Sequence, residues 1–263
     1  MLDTEGGAQE RRFAGGSQRL PVWLAERLGD HLQLSAPVRR IEQDADGVHV
    51  VADGMDVRAV SVVVAVPPNL AGRIVYEPLL PPNRDQLTQH MPQGATIKCQ
   101  AVYEEPFWRD DGLSGEVVST RGPVMIAFDN SPPEGSPGVL LGFIVGRHAR
   151  KLSEVPTSER RQAVLDCFGR LFGKRAASPL RYAEKDWAKE EWTRGCPVCR
   201  FAPGGWTAFG PSLREPIGRI HWAGTETATE WSGYMEGAVQ SGERAAREVL
   251  ASVAAGRSPA AAV

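Results

Sequence analysis

Leu20, Leu24 and Leu28 recur every fourth residue behind Ser17, which predicts a capped helix with one apolar stripe, ended by Gly29. Pro21 falls in its first turn, where a missing N–H is tolerated. The period then changes. Leu32-Gln33-Leu34, Val38-Arg39-Arg40-Ile41, Val48-His49-Val50-Val51 and residues 57–66 read as successive strands, with turns at Asp46-Gly47 and Asp53-Gly54. Pro67-Pro68 stops the last of these, and Pro78-Leu79-Leu80-Pro81-Pro82 predicts a rigid connector where the chain crosses between domains.

A second β region begins at Ala95, with strands predicted over residues 96–103, 117–119, 124–128 and 139–145. Thr157 is placed to cap a helix bearing Val164, Leu165, Phe168, Leu171 and Phe172, closed by Gly173. Leu180-Arg181-Tyr182-Ala183 is a short strand. Near the C-terminus an apolar strand, Ile220-His221-Trp222-Ala223, meets a Gly224-Thr225-Glu226 turn and then a long helix. Met235, Ala238, Val239, Gly242, Ala245, Ala246, Val249 and Leu250 stand at helical spacing along it. A strand that runs through small residues into a helix start presents free N–H groups and positive dipole to an anion. The fold class expected is mixed α/β (α+β), with no internal repeat.

Composition narrows the function. The chain has 263 residues, 42% hydrophobic and 24% charged, with a net charge of −2. No basic stripe with interleaved aromatics is present, so nucleic acid is not an expected partner. The N-terminal residues do not pattern as a signal peptide, and the longest apolar run, residues 60–66, is far short of the ~20 a membrane span needs. A cytoplasmic protein is expected, with no membrane partner. Cys99, Cys167, Cys196 and Cys199 do not make a disulfide scaffold. Cys196-Pro-Val-Cys199 is a formal C-x-x-C, but it lies in a loop between prolines and lacks a second Cys or His pair, so it reads as ordinary loop thiols. The five histidines are scattered and suggest no nucleophile–base pair.

Several motifs stand in a fixed order: Gly7-Ala8-Gln9-Glu10 with Gly15-Gly16, Ala36-Pro37-Val38, Pro67-Pro68, Ile97-Lys98-Cys99, Pro106-Phe107-Trp108, Trp187, and the block from Gly224-Thr225-Glu226 through Trp231-Ser232-Gly233-Tyr234-Met235-Glu236-Gly237. Together they make the chain, from about Gly6 to Leu250, closely resemble the monoamine oxidase family of FAD enzymes. That family opens with a strand and a Gly-x-Gly-x-x-Gly turn for the FAD pyrophosphate, and this sequence contains no such motif. The resemblance is therefore to the C-terminal two-thirds of such an enzyme. It implies an incomplete, Rossmann-like FAD-binding domain (residues 14–88 and 190–252) interleaved with a substrate domain (residues 89–189) built on a mixed sheet with helices. Residues 1–13 and 253–263 are expected as flexible termini.

Roles follow from the resemblance, residue by residue. Lys98 matches the lysine that holds a water against the flavin N5; on sequence alone, a solvent-facing lysine on an edge strand is the competing reading. Trp187 matches a tryptophan packed at the flavin, nine residues before a cysteine, and Cys196 keeps that spacing. In the mitochondrial members that cysteine carries an 8α-thioether to FAD; here release of free flavin is the favoured alternative. Tyr234 matches one wall of an aromatic cage around the substrate amine, with both catalytic and cofactor contacts. The second wall falls on Pro197, a departure that implies a remodelled pocket. Gly224, Thr225 and Glu226 match the turn beside the flavin ribityl and phosphate, and the Met235 N–H faces the flavin N1–C2=O edge. Val38 matches a residue whose backbone meets the adenine, and Gln9 one that lines the substrate cavity.

The implied reaction is oxidation of a small amine to an imine by FAD, with O2 as acceptor and H2O2 as product. Two alternatives stand beside it. One is a non-catalytic or partner-dependent subunit that needs a polypeptide supplying the dinucleotide-binding segment; the other is an amino-acid or polyamine oxidase on the same scaffold.

Overall fold

The computed structural model describes residues 11–255. Helix α1 (Arg19–Leu28) forms where the leucine stripe predicts it, and Gly29 ends it at φ 51°. Its N-cap is Gln18 without a side-chain cap, so Ser17 does not cap the helix. No residue of α1 is buried, and Leu20, Trp23, Leu24 and Leu28 all face outward. Residues 32–34 form no strand, because they find no ladder partner among the described residues.

An antiparallel meander follows: β1 (Val38–Gln43), β2 (Val48–Ala52) and β3 (Met55–Ala59). Its first turn is closed by Asp44 Oδ1, which accepts from the N–H groups of Asp46 and Gly47. Residues 57–66 make two strands rather than one. The chain leaves the meander after β3, and β4 (Val62–Val64) pairs in parallel with a strand near the C-terminus. Buried Arg219 fixes that switch, accepting Val62 N–H at its carbonyl (3.0 Å) and donating Nη1 to Val60 O (3.1 Å).

Pro67-Pro68 both stop β4 and start a short helix, α2 (Pro68–Ala71). β5 (Val75–Glu77) returns parallel to β1 and completes a four-stranded sheet, β3-β2-β1-β5. The proline connector leads straight into α3 (Pro82–His90), which the polar spacing of that segment did not announce.

The second sheet is built around β6 (Thr96–Tyr103). It runs in the order β10-β6-β9-β8-β7, with β7 (Val117–Val118), β8 (Ile126–Asp129), β9 (Gly138–Val145) and, past two helices, β10 (Arg181–Asp186). α4 (Gly146–Ser153) and α5 (Thr157–Phe172) lie between β9 and β10. α5 begins at Thr157, yet its N-cap is Pro156 and no side chain caps it. Ile97, Cys99, Ala101 and Tyr103 point from one face of β6 into a core with Leu140, Ile144, Val164, Phe168 and Phe172. A Cβ on Gly142 would stand 2.9 Å from both Cys99 Sγ and Phe168, so this core closes only over a glycine.

The last third returns to the first unit. α6 (Gly205–Phe209) precedes β11 (Ile220–Trp222), the partner of β4, and α7 (Met235–Ala254) closes the described chain. Only Gly237, Ser241 and Ala245 of α7 are buried, a strip of small residues that lets the helix lie close; a Cβ on Gly237 would be 2.3 Å from Trp231 O. Ile41, Val64, Tyr76, Ile220 and Trp222 form a second core beneath the two smaller sheets. α7 runs on to Ala254, and Arg12 donates to the carbonyls of Asn130 and Ser131 (2.9 and 2.7 Å).

α5 is tied to β10 by a buried ion pair. Arg160 donates Nε and Nη2 to Glu184 Oε1 (2.7 and 2.5 Å) and Nη1 to Leu152 O (2.8 Å). Glu184→Gln leaves the guanidinium uncompensated where both side chains are less than one-tenth exposed. Removing one partner of such a pair costs about 3–5 kcal/mol. Urea unfolding of the variant is expected to show that loss, and an unchanged midpoint would contradict it.

Candidate active site

The segment before β6 and the loop containing Cys196 touch backbone to backbone. Cys196 N donates to Gly94 O (2.9 Å) and Gly94 N to Val198 O (3.2 Å). Thr96, on the side of β6 away from the core, donates Oγ1 to Cys196 O (2.8 Å). A Cβ on Gly94 would lie 2.5 Å from Cys196 O, and one on Gly195, at φ 150°, would lie 2.4 Å from Gly94 O. Both positions demand glycine for room, and Gly195 also for conformation.

This contact walls one side of a cleft of about 310 Å³. Trp187, Cys196, Pro197, Gly224, Thr225 and Glu226 all line it, so six residues singled out from the sequence meet in one place. Gln93, Thr193, Gly195, Ala65, Pro67 and Ala238 complete the lining. Gln93 and Thr193 carry no sequence signal, since their position depends on a loop folding back a hundred residues along the chain.

Lys98 stands two residues beyond Thr96 on the same face of β6. β6 is flanked by β9 and β10, so the edge-strand alternative is excluded. Its ammonium lies 5.5 Å from the Phe143 ring centre and 5.9 Å from that of Trp187. Trp187 begins a single 3-10 turn, capped by Asp186, whose side chain accepts from Ala188 N (3.1 Å).

The turn opposite is held from within. Thr225 Oγ1 accepts from Gly233 N (2.7 Å) and donates to Tyr234 O (2.8 Å), so its hydroxyl is spent on joining turn to helix. Glu226 is buried and its Oε1 accepts from Cys199 N (3.0 Å). Gly224 N donates to Ser241 Oγ (3.0 Å). Tyr234 is the N-cap of α7 and Met235 its first residue, where backbone N–H groups have no intrahelical partner. The Met235 side chain is exposed.

Tyr234 lines a second cavity, of about 390 Å³, with Met91, Phe201 and Trp206, and Pro197 borders both spaces. The aromatic neighbour of Tyr234 is Trp231, edge-on at 5.7 Å. Val38 lies at the start of β1 and lines neither cavity. Gln9 lies outside the described residues.

Two buried polar atoms in the cleft residues have no partner among the described residues: Trp187 Nε1, a donor, and Gln93 Oε1, an acceptor. Arg84 Nε, Trp222 Nε1 and Arg244 Nε, at residues that line neither cavity, are unpaired in the same way. The volume sits at the lower end of small-ligand sites, ~300–1,000 Å³, which suits a flavin ring system rather than a whole dinucleotide. Among the described residues no group of side chains is arranged to hold a metal.

A family model described as flavin containing amine oxidoreductase matches residues 1–250. The chain belongs to that family. It is 47% identical over 251 residues to a probable flavin-containing monoamine oxidase A of Dictyostelium discoideum, covering 95% of this chain and 55% of that protein. Against a flavin-containing amine oxidase of Danio rerio it is 44% identical, covering 95% and 49%. Among solved structures, a putrescine oxidase bound to putrescine superposes with a TM-score of 0.86 at 40% identity, over 90% of this chain and 53% of the other. Cyclohexylamine oxidase from Brevibacterium oxydans gives 0.85 at 37% identity, over 91% and 53%. The chain thus spans about half the length of these relatives, less than the two-thirds expected from the resemblance.

All four cysteines are free, and they differ in accessibility. Burial pushes the Cys99 and Cys199 thiols up to about 12, with Glu226 adding to the rise at Cys199. Cys196 is half-buried; burial raises its thiol, and the nearby Lys98 charge opposes the rise. The thiolate is the nucleophile, so a raised thiol reacts faster as pH increases. Cys196 is expected to be the first cysteine alkylated by iodoacetamide, at a rate climbing through pH 9. Lys98→Met, by removing the opposing charge, is expected to slow it roughly two- to fivefold at fixed pH. Peptide mass spectrometry reads both; equal rates with and without Lys98 would separate the two residues.

Proposed function

We propose that this chain forms the flavin-ring and substrate part of an FAD-dependent amine oxidase, acting on a small-molecule amine with O2 as acceptor. The observation that carries this reading is the meeting of Trp187, Cys196 and the Gly224–Glu226 turn in one cleft, with Lys98 over the Trp187 ring. In the proposed division, residues 14–88 and 190–252 belong to the FAD domain and residues 89–189 to the substrate domain. Flavin, when bound, supplies the chemistry: it accepts two electrons and a hydrogen from the carbon next to an amine nitrogen.

The chain's own residues supply place and field. Trp187 and Gln93 line the cleft that would take the ring system. The first turn of α7, beginning at Met235, directs free N–H groups and positive dipole toward negative charge. Lys98 makes no ion pair among the described residues, so its full charge acts beside the cleft, where it holds a water and favours negative charge developing on oxygen. Gly224, Thr225 and Glu226 shape the turn, and all three do so through hydrogen bonds to the scaffold. Burial keeps the Cys196 thiol protonated, which supports a flavin held without a thioether. Tyr234 forms one wall of the substrate site, and Pro197 leaves the facing side open to Phe201 and Trp206. A diamine is the second reading for the substrate, supported by the likeness to the putrescine-bound oxidase. Four free thiols fit a reducing, cytoplasmic compartment, and among the described residues no helix is long and apolar enough to cross a membrane.

A polypeptide with a dinucleotide-binding segment is the proposed partner. Among the described residues β4 and β11 form a sheet of two strands, and Val63, Val239 and Leu250 with Leu20, Trp23, Leu24 and Leu28 of α1 leave apolar surface open. Alone, the 263-residue chain is expected to bind FAD weakly and to self-associate; a yellow, monodisperse monomer with stoichiometric flavin would overturn this. Joined to a dinucleotide-binding segment, it is expected to release H2O2 from amines.

In that joined enzyme, Lys98→Met is expected to slow reoxidation by O2 at least tenfold while slowing reduction by amine far less. Anaerobic stopped-flow reduction followed by mixing with oxygen separates the steps. Equal losses in both would remove Lys98 from this role.

A further inference from the structure

The Cys196-Pro-Val-Cys199 motif does not fold as a pair of equivalent loop thiols. Cys196 lines the cleft of about 310 Å³, whereas Cys199 lines the second cavity and is only 3% exposed. The Cys199 side chain packs in a small core with Leu87, Met91 and Leu213. Burial raises this thiol to about 12, so at neutral pH it is a hydrogen-bond donor rather than a nucleophile.

Three walls of the cleft meet at this one residue. Its own loop carries Cys196 and Pro197, and it pairs with the segment before β6 through a bridge between Gln93 and Cys199. Arg200 N extends that pairing to Pro92 O (3.0 Å). Cys199 N donates to Glu226 Oε1 (3.0 Å), which holds the Gly224–Glu226 turn. Cys199 Sγ donates to Asn69 Oδ1 (3.1 Å). Asn69 belongs to α2, two residues beyond Pro67, and Pro67 lines the cleft with Ala65. The two backbone contacts can be made by any residue at this position. The bond to α2 needs a side chain that is small enough to be buried and able to donate.

We propose that Cys199 is a positioning residue for the candidate site, its side chain tying α2 to the Cys196 loop and so holding the walls of the cleft at their separation. This rests on the reading of the cleft as the place of the flavin ring. The two cysteines of the motif then divide the work: Cys196 faces the cleft, and Cys199 fixes where Cys196 stands.

The test uses the 263-residue chain and follows iodoacetamide alkylation of each cysteine by peptide mass spectrometry. Cys199→Ser keeps a donor for Asn69, and Cys199→Ala differs from it by the hydroxyl alone. Loss of one net hydrogen bond raises a local opening equilibrium roughly two- to tenfold. Cys196 is expected to alkylate faster by that factor in Cys199→Ala and in Asn69→Ala, and to stay within about twofold of the parent in Cys199→Ser. The double variant Cys199→Ala/Asn69→Ala is expected to add little to either single one, because both remove the same bond. Cys99 and Cys167, buried in the core of the other sheet, are expected to keep their parent rates, which a general loosening would not allow. Unchanged Cys196 rates in Cys199→Ala and Asn69→Ala overturn the proposal. So does a Cys199→Ser rate as high as that of Cys199→Ala, or a parallel rise at Cys99 and Cys167. Asn69→Ala leaves the cysteine in place, so it decides the matter even if Cys199→Ala fails to fold. The readout needs no flavin, so its failure leaves the oxidase reading standing, and failure of the oxidase reading leaves the alkylation result standing.

Discussion

The cleft exists because two backbone segments a hundred residues apart meet with no side chain between them. Gly94 and Gly195 remove the Cβ atoms that would collide, and Thr96 adds a hydroxyl bond to Cys196 O on the same line. Everything else at the site is measured from that contact. It places Cys196 and Pro197 over the outer face of β6 and therefore near Lys98. It also brings Cys199 to where Glu226 accepts its N–H, which joins the loop to the Gly224–Glu226 turn. A larger side chain at either glycine would displace the loop and so separate the lysine from the turn.

Charge is distributed unevenly around this frame. Most buried cations are spent on structure: Arg160 on Glu184, Arg219 on backbone carbonyls around Asp44 and Val60, and Arg84 on the face of Trp222 at 3.5 Å. Arg84 has no carboxylate partner in the ion pairs found, and burial pulls its guanidinium down to about 10. It donates to Ser212 O and Leu213 O, so it acts as a backbone clamp between α3 and the segment leading to β11. Lys98 differs from these. Its ammonium lies 5.5 Å from the Phe143 ring centre and 5.9 Å from that of Trp187, and it makes no ion pair among the described residues.

Much of this was legible in the chain. Alternation in residues 96–103 gave β6 its two faces and put Lys98 beside Thr96, opposite the core-facing Ile97 and Cys99. The leucine stripe gave α1, and the small-residue turn gave the start of α7. The Gly224–Gly237 block and Trp187, by their resemblance to a family, gave the candidate cleft. Less was legible where local chemistry is ambiguous. Ser17 and Thr157 are good capping residues that cap nothing, because the helices start at Arg19 behind Gln18 and at Thr157 behind Pro156. α3 has a mostly polar surface and buries Leu87 and Arg84, so its apolar face is too narrow to announce a helix.

Periodicity and turn chemistry determined which segments are strands or helices, because those depend on residues within a few positions of each other. Partner choice did not follow from them. Residues 57–66 look like one strand and become two, since Val62–Val64 takes Ile220–Trp222 as its neighbour. Val38 belongs to a sheet that borders neither cavity, while Gln93, silent in the sequence, lines the cleft. Lys185 opposite Lys98 is likewise a fact of register. The sequence by itself determined the faces of the elements and the chemical character of the site. Only the tertiary structure decided which faces meet, because contacts a hundred residues apart are set by shape and room rather than by local pattern.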